Sequence, residues 1–277
     1  MIVRAAAALC GLVLCLSGAP ALAEPLRVVS EAPLVERDAY QETIRSRITG
    51  REYRVQVWLP FDGQANEAAP VLYVMDGGGD GGTAAAVTRL QGQAYVVAVS
   101  PADDPGGPSF QRHGADYLRR ELLHYGLEIP AQGGSPAYSW AAGDGAGFQR
   151  FLLEELKPLI EQRHPGAGAS ALIGEGMAGT FVLHVAADKP DAFKLYGAAD
   201  PSIDAAMSER LSRPGPKAAA QSWSVKLLLS WRTADHMWTD PERPIGEAFM
   251  ARGYQARWKN NLGWADLVAE AFTQLGR

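Results

Sequence analysis

The chain predicts an α/β fold, a mostly parallel central sheet with helices on both faces. Three observations predict it. "PVLYVMD" and "AYVVAVS" (70–76 and 94–100) are continuous apolar runs, as expected of central strands covered on both sides. "FQRFLLEELKPLIEQR" places Phe148, Phe151, Leu152, Leu156, Leu159 and Ile160 at helical spacing. "SALIGEGMAGTFVLHVAADKP", Ser170 to Pro190, reads as a buried strand, a tight glycine-rich turn and an amphipathic helix. Strands that alternate with helices form parallel sheets. At 277 residues the chain suits one large domain better than two small ones.

The elements follow in order. Residues 1–23 read as a secretory signal peptide: a basic start "MIVR", an apolar stretch "AAAALCGLVLCLSG" and a small-residue cleavage site "ALA", Ala21 to Ala23. The apolar stretch is shorter than the roughly 20 residues that span a bilayer, so a membrane anchor is disfavoured. Cys10 and Cys15 both follow leucine, which speaks against a lipoprotein site. The domain then occupies residues 24–277. "REYRVQVWLP" alternates, with Tyr53, Val55, Val57 and Leu59 on one face of a half-buried strand. After the two apolar runs, the helix and the strand–turn–helix come the strands "FKLYGAA", "SVKLLLSW" and "YQARW" and a last helix "WADLVAEAFTQL". Long Gly/Pro-rich loops interrupt this order, and in α/β folds such loops rim the site.

Composition excludes several classes. Both cysteines lie in the signal segment, so the exported chain has no disulfide, thiol nucleophile or thiolate metal site. Loss of Arg4 with that segment takes the net charge from −5 to −6, which does not suit nucleic acid as a partner. His113, His124, His164 and His236 are isolated, and His184 falls on the apolar side of a helix as a core histidine, so no metal cluster forms in sequence. "DGGGDGG" matches a dinucleotide fingerprint through Gly77, Gly79 and Gly82, with Asp103 and Asp104 about 20 residues on. It follows earlier strands instead of opening the domain, and a loop that exposes backbone N–H groups is the better reading; no cofactor is expected.

The strand–turn–helix has the layout of a nucleophile elbow, where Gly-x-Ser-x-Gly holds a reactive serine on a strained turn. Here the turn is "GEGMAG", and Gly176 stands where the serine belongs. In that layout the acid follows a later strand and the histidine comes near the C-terminus. Asp235 in "RTADHMWTD", after "SVKLLLSW", matches the acid; beyond "YQARW" the chain reads "KNNLGWADL" and holds no histidine.

"SRITGREYRVQVWLP", "PVLYVMDG", "FLLEELKPLIEQRHP" and "ALIGEGMAGTFVLHVAADKPDAFKLYGAADPSI", with the spacing between them, resemble the putative-esterase family of α/β-hydrolases, which includes periplasmic siderophore esterases. The resemblance covers nearly all of residues 24–277 and implies an α/β-hydrolase fold. In that family the elbow reads Gly-His-Ser-x-Gly-Gly; here Glu175 replaces the histidine, Gly176 the catalytic serine and Ala178 the first closing glycine. A His-Gly-Ser-like triplet before the last helix has its counterpart in Asn261, Leu262 and Gly263. The resemblance therefore implies a triad degenerate at nucleophile and base, which removes most triad-dependent rate.

Two function classes follow. The leading expectation is a periplasmic or secreted pseudo-esterase that binds a small-molecule or peptide-like ligand, or a protein partner, in the former cleft. Its oxyanion-type donors would be the backbone N–H of Met177 and of Gly77 or Gly78. Arg112, Asp116, Tyr138, Trp140 and Ser202 are the cleft candidates, with Tyr117 beside them. The rival is an active hydrolase whose nucleophile has moved to Ser202 or Ser135, or in which Glu175 or Asp235 activates water.

Overall fold

The computed structural model describes residues 26–33, 38–60, 69–75, 84–85, 94–102, 127–128, 137–138, 145–165, 167–201, 225–231, 242–259 and 261–275, with 207, 210, 211, 213 and 215 singly. Nine strands form one sheet: β1 (Arg27–Pro33), β2 (Ala39–Arg45), β3 (Glu52–Trp58), β4 (Ala69–Met75), β5 (Tyr95–Pro101), β8 (Ala167–Glu175), β9 (Leu195–Ala199), β10 (Lys226–Ser230) and β11 (Gln255–Trp258). β6 (Leu127–Glu128) and β7 (Ala137–Tyr138) pair separately and antiparallel. Across the large sheet the order is β1-β2-β3-β5-β4-β8-β9-β10-β11. β1, β2, β3 and β5 pair antiparallel, and every pair from β5 to β11 is parallel.

The apolar runs are the centre of this sheet. In β4, six of the seven residues are buried, and β5 is buried from Tyr95 to Ser100. β3 alternates as its sequence says, with Tyr53, Val55 and Val57 inward. Side chains on one face pack with Phe148, Phe151, Leu156, Phe181 and Phe249 of the helices laid over it. Those helices are α1 (Gly145–Arg150), the π-helical turn Phe151–Leu156 that follows it, α2 (Lys157–Arg163), α3 (Met177–Asp188) and α4 (Glu242–Met250). The other face, with Leu72, Val74, Val96 and Ile173, packs against Leu267, Val268 and Ala271 of α5 (Trp264–Leu275). Each large apolar side chain so buried contributes about 1.5–3 kcal/mol.

Two readings change. The stretch predicted as one helix from Phe148 to Arg163 is α1 and α2 joined by a π-helical turn, Phe151–Leu156, and Leu159 is only partly buried. The elbow helix α3 is not amphipathic: every residue from Ala178 to Ala187 is buried. Its outer side is covered, because Met207 and Leu211 of the segment after β9 belong to the same core. Glu155, an acid on the apolar side of the π-helical turn, is buried and accepts bonds from Ser46 Oγ (2.7 Å), Arg47 N (3.2 Å) and Arg47 Nε (3.1 Å). That cluster ties the β2–β3 hairpin to the helical layer, which compensates the cost of a buried charge.

Candidate active site

β8 lies in the middle of the sheet, between β4 and β9. The chain goes from β4 outward to β5 on one side, and from β8 outward to β9 on the other. The carboxyl ends of β4 and β8 are therefore a topological switch point, where crevices open in α/β sheets. β8 ends at Glu175, Gly176 makes the turn, and α3 starts at Met177.

The turn is sharp because three glycines permit it. Gly176 has φ 59° and ψ −123°, a left-handed backbone that residues with a Cβ rarely adopt. A Cβ on Gly174 would lie 2.7 Å from the Ala178 carbonyl carbon and oxygen, and one on Gly179 would lie 3.0 Å from the Ala199 oxygen. Helix and strand thus touch backbone to backbone. A Cβ on Gly176 itself would meet no described residue within 4 Å. The turn has the strained backbone of an elbow, and no described residue takes the place of a Cβ there.

Hydrogen bonds carry the edge onward. Gly176 N–H donates to Ala199 O (2.8 Å), Asp200 N–H to Ser230 O (2.7 Å), and Asn261 N–H to Trp231 O (2.8 Å). Buried Ser230 donates its hydroxyl to Leu262 O (3.1 Å), and Trp231 Nε1 donates to Pro201 O (3.2 Å). Asp200 and Asn261 both have positive φ, 43° and 61°, a conformation their short polar side chains tolerate. The loop from Asn261 to Gly263 therefore folds back over the end of β10, on the same edge as Gly176.

Glu175, Gly176 and Met177 are thus brought to one corner, with Glu175 and Met177 partly buried. No described residue accepts a bond from the N–H of Met177, Ala178 or Gly179. Those donors, and the positive end of the α3 dipole, suit an oxyanion or a carboxylate. Tyr138 ends β7. Gly77, Gly78, Arg112, Asp116, Tyr117, Ser135, Trp140, Ser202 and Asp235 lie outside the described residues. Sequence reading missed Asp200 and Ser230 at this edge; the Asp-Pro pair after "YGAA" was the available turn signal for the first. Among the described residues no three His, Asp or Glu side chains come together to hold a metal, and no helix is long and apolar enough to cross a membrane.

His184, in the middle of α3, is buried, and burial followed by the Arg210 charge lowers its pKa to about 2. It is neutral at working pH, and its place inside the helical layer separates it from the elbow chemistry.

The model of the family described as "Putative esterase" matches residues 46–271. The chain belongs to that family. Among curated proteins it is 30% identical over 162 residues to the ferri-bacillibactin esterase BesA of Bacillus subtilis, an alignment of 57% of this chain and 56% of that protein. It is 38% identical over 85 residues to a siderophore enterobactin esterase of Emericella nidulans, 29% of this chain and 27% of that protein. The chain thus spans about half, or less, of the length of these curated relatives. The siderophore hydrolase EstA from Aspergillus nidulans superposes with a TM-score of 0.61 at 20% identity, over 88% of this chain and 97% of that one, a likeness of fold. Within this esterase-like fold, Gly176 makes the turn from β8 to α3 with φ 59°, and it carries no hydroxyl.

Proposed function

We propose that this family member is an exported pseudo-esterase: it binds a ligand in the cleft above Gly176 and does not perform serine catalysis. One observation carries the reading. The elbow has the backbone of a nucleophile turn, φ 59° and ψ −123°, and no described residue stands in the way of a side chain, yet its residue has none. A serine cannot act where there is no hydroxyl, and the loop at Asn261–Gly263 supplies no imidazole to activate one. What persists is the donor set at the start of α3, which needs no side chain to attract a carbonyl or carboxylate oxygen. Export rests on the signal-like residues 1–23. The names of the curated relatives supply the first ligand class to try, a siderophore ester or its hydrolysed acids.

Calorimetric titration with ferri-enterobactin, followed by chromatography of the mixture, tests it. The expected result is saturable binding with the ester intact, weakened by Arg112→Ala or Trp140→Ala. Cleavage of the ester would instead favour an active hydrolase, through Ser202, Ser135 or a carboxylate-activated water at Glu175 or Asp235. Absence of binding would move the protein's role to its outer surface.

A further inference from the structure

At the amino ends of the parallel strands, the end of the sheet opposite the elbow, a second polar cluster joins α2 to the antiparallel strands. Arg163 and His164 are consecutive at the end of α2. Tyr40 and Glu42 are two apart on β2 and share one face. Arg163 donates to both Glu42 carboxylate oxygens, at 2.6 and 2.7 Å. His164 Nε2 lies 3.0 Å from the Tyr40 hydroxyl, and its ring packs 4.9 Å from that of Tyr95 at the start of β5. The helix end is therefore fastened to β2 twice, once by an ion pair and once by a contact whose chemistry depends on the imidazole.

We propose that His164 is an acid-sensitive pin: neutral, it accepts the Tyr40 hydroxyl hydrogen and holds the end of α2 on β2, and a proton on the ring weakens that hold. The groups around it decide the sign. From β2 come Tyr40 and Glu42, and from β5 the uncharged Tyr95. From α2 come Arg163 next in sequence and, one turn back, Glu161, which is paired with Lys157. Both Glu42 oxygens are engaged by Arg163, so a proton on His164 would place a second cation beside an existing one in a half-buried position. The helix C-terminus by itself favours a cation there. Burial and then Arg163 outweigh it, and the ring's pKa stands below the ordinary 6.5. Because an unfolded chain takes up that proton more readily, the pin costs stability as pH falls below 6.5.

An NMR titration of the full chain, wild type and Tyr40→Phe, with urea midpoints of wild type and His164→Gln at pH 7 and pH 5, tests this. His164 should titrate below 6.5, and its pKa should rise when Tyr40 loses its hydroxyl. The wild-type midpoint should drop more on acidification than that of His164→Gln, since every other titrating group is common to both. A His164 pKa at or above 6.5, a pKa that falls in Tyr40→Phe, or equal drops in the two midpoints would overturn the proposal. The two titrations stand without the glutamine variant, should it fold poorly.

Discussion

The two ends of helix α3 are built in opposite ways. At its carboxyl end the protein supplies its own partners. Tyr254 donates its hydroxyl to Ala186 O at 2.6 Å, Tyr196 donates to Lys189 O, and the buried Arg252 guanidinium reaches Ala187 O at 3.4 Å. Arg252 also donates to Arg210 O and Arg213 O at 2.9 Å and to Leu211 O at 3.3 Å, which fastens the segment after β9 to the helix. A cation and two phenols thus satisfy carbonyls that a helix cannot satisfy for itself. At the amino end no described residue supplies anything comparable. Gly176 caps the helix without a side chain, and the first N–H groups face a corner that no described side chain fills. One end is finished by the fold; at the other, no described side chain takes up the free donors.

The largest effect should come from breaking the finished end. Arg252→Ala leaves several buried carbonyls without a donor and should lower stability by about 3 kcal/mol, seen as a lower urea midpoint. A change comparable to that of a surface substitution would mean that the segment after β9 does not depend on this guanidinium.

Next come the glycines of the elbow, which separate contact from conformation. Gly174→Ala forces a methyl group against the Ala178 backbone and should cost about 2 kcal/mol. Gly176→Ala meets no described residue and should cost only the positive-φ strain, about 1 kcal/mol. Equal losses in the two variants would show that the corner above Gly176 is filled.

The pH dependence of stability sharpens the same contrast from inside the helix. His184 is neutral when folded, with a pKa of about 2, and takes up a proton near pH 6.5 when unfolded. The unfolded state therefore binds more protons between those values, and stability falls as pH drops through that window, by up to about 1.4 kcal/mol per pH unit from this residue. Denaturation midpoints of wild type and His184→Leu should diverge in that direction. A parallel pair of curves would place the imidazole in contact with water.

The smallest structural change carries the most chemical information. Gly176→Ser should cost about 1 kcal/mol in strain and gain no esterase activity with p-nitrophenyl esters, since the serine would lack a base. Gly176→Ser combined with histidine in place of Asn261 or Leu262 should gain measurable turnover, with Asp235 as orienting acid. Robust activity in the single variant would identify a base elsewhere in the chain.

What the sequence disclosed follows from what each region buries. β4, β5 and β8–β10 are covered on both faces, so their apolar runs announced them. The elbow was legible because glycines there serve contact and conformation, and both leave a pattern. β1 and β2 were not legible, because "RVVSEAP" and "AYQETIR" mix charge with apolar residues at a sheet edge. Helix α4 offers Ile245, Phe249 and the small Ala248 to the core, too little to stand out. Glu155 reads as a surface acid until Ser46 and Arg47, over 100 residues earlier, are seen to surround it. The edge formed by Asp200, Ser230 and Asn261 is made by backbone bonds between distant strands, and no local pattern encodes those.

Intact-mass spectrometry after incubation with a fluorophosphonate tests the central claim most directly, because the reagent reports an activated serine wherever it lies. The account predicts an unmodified mass for the wild-type protein under conditions that saturate a working serine esterase. A stoichiometric phosphonyl adduct on any serine would contradict it and would make the chain an enzyme with a relocated nucleophile.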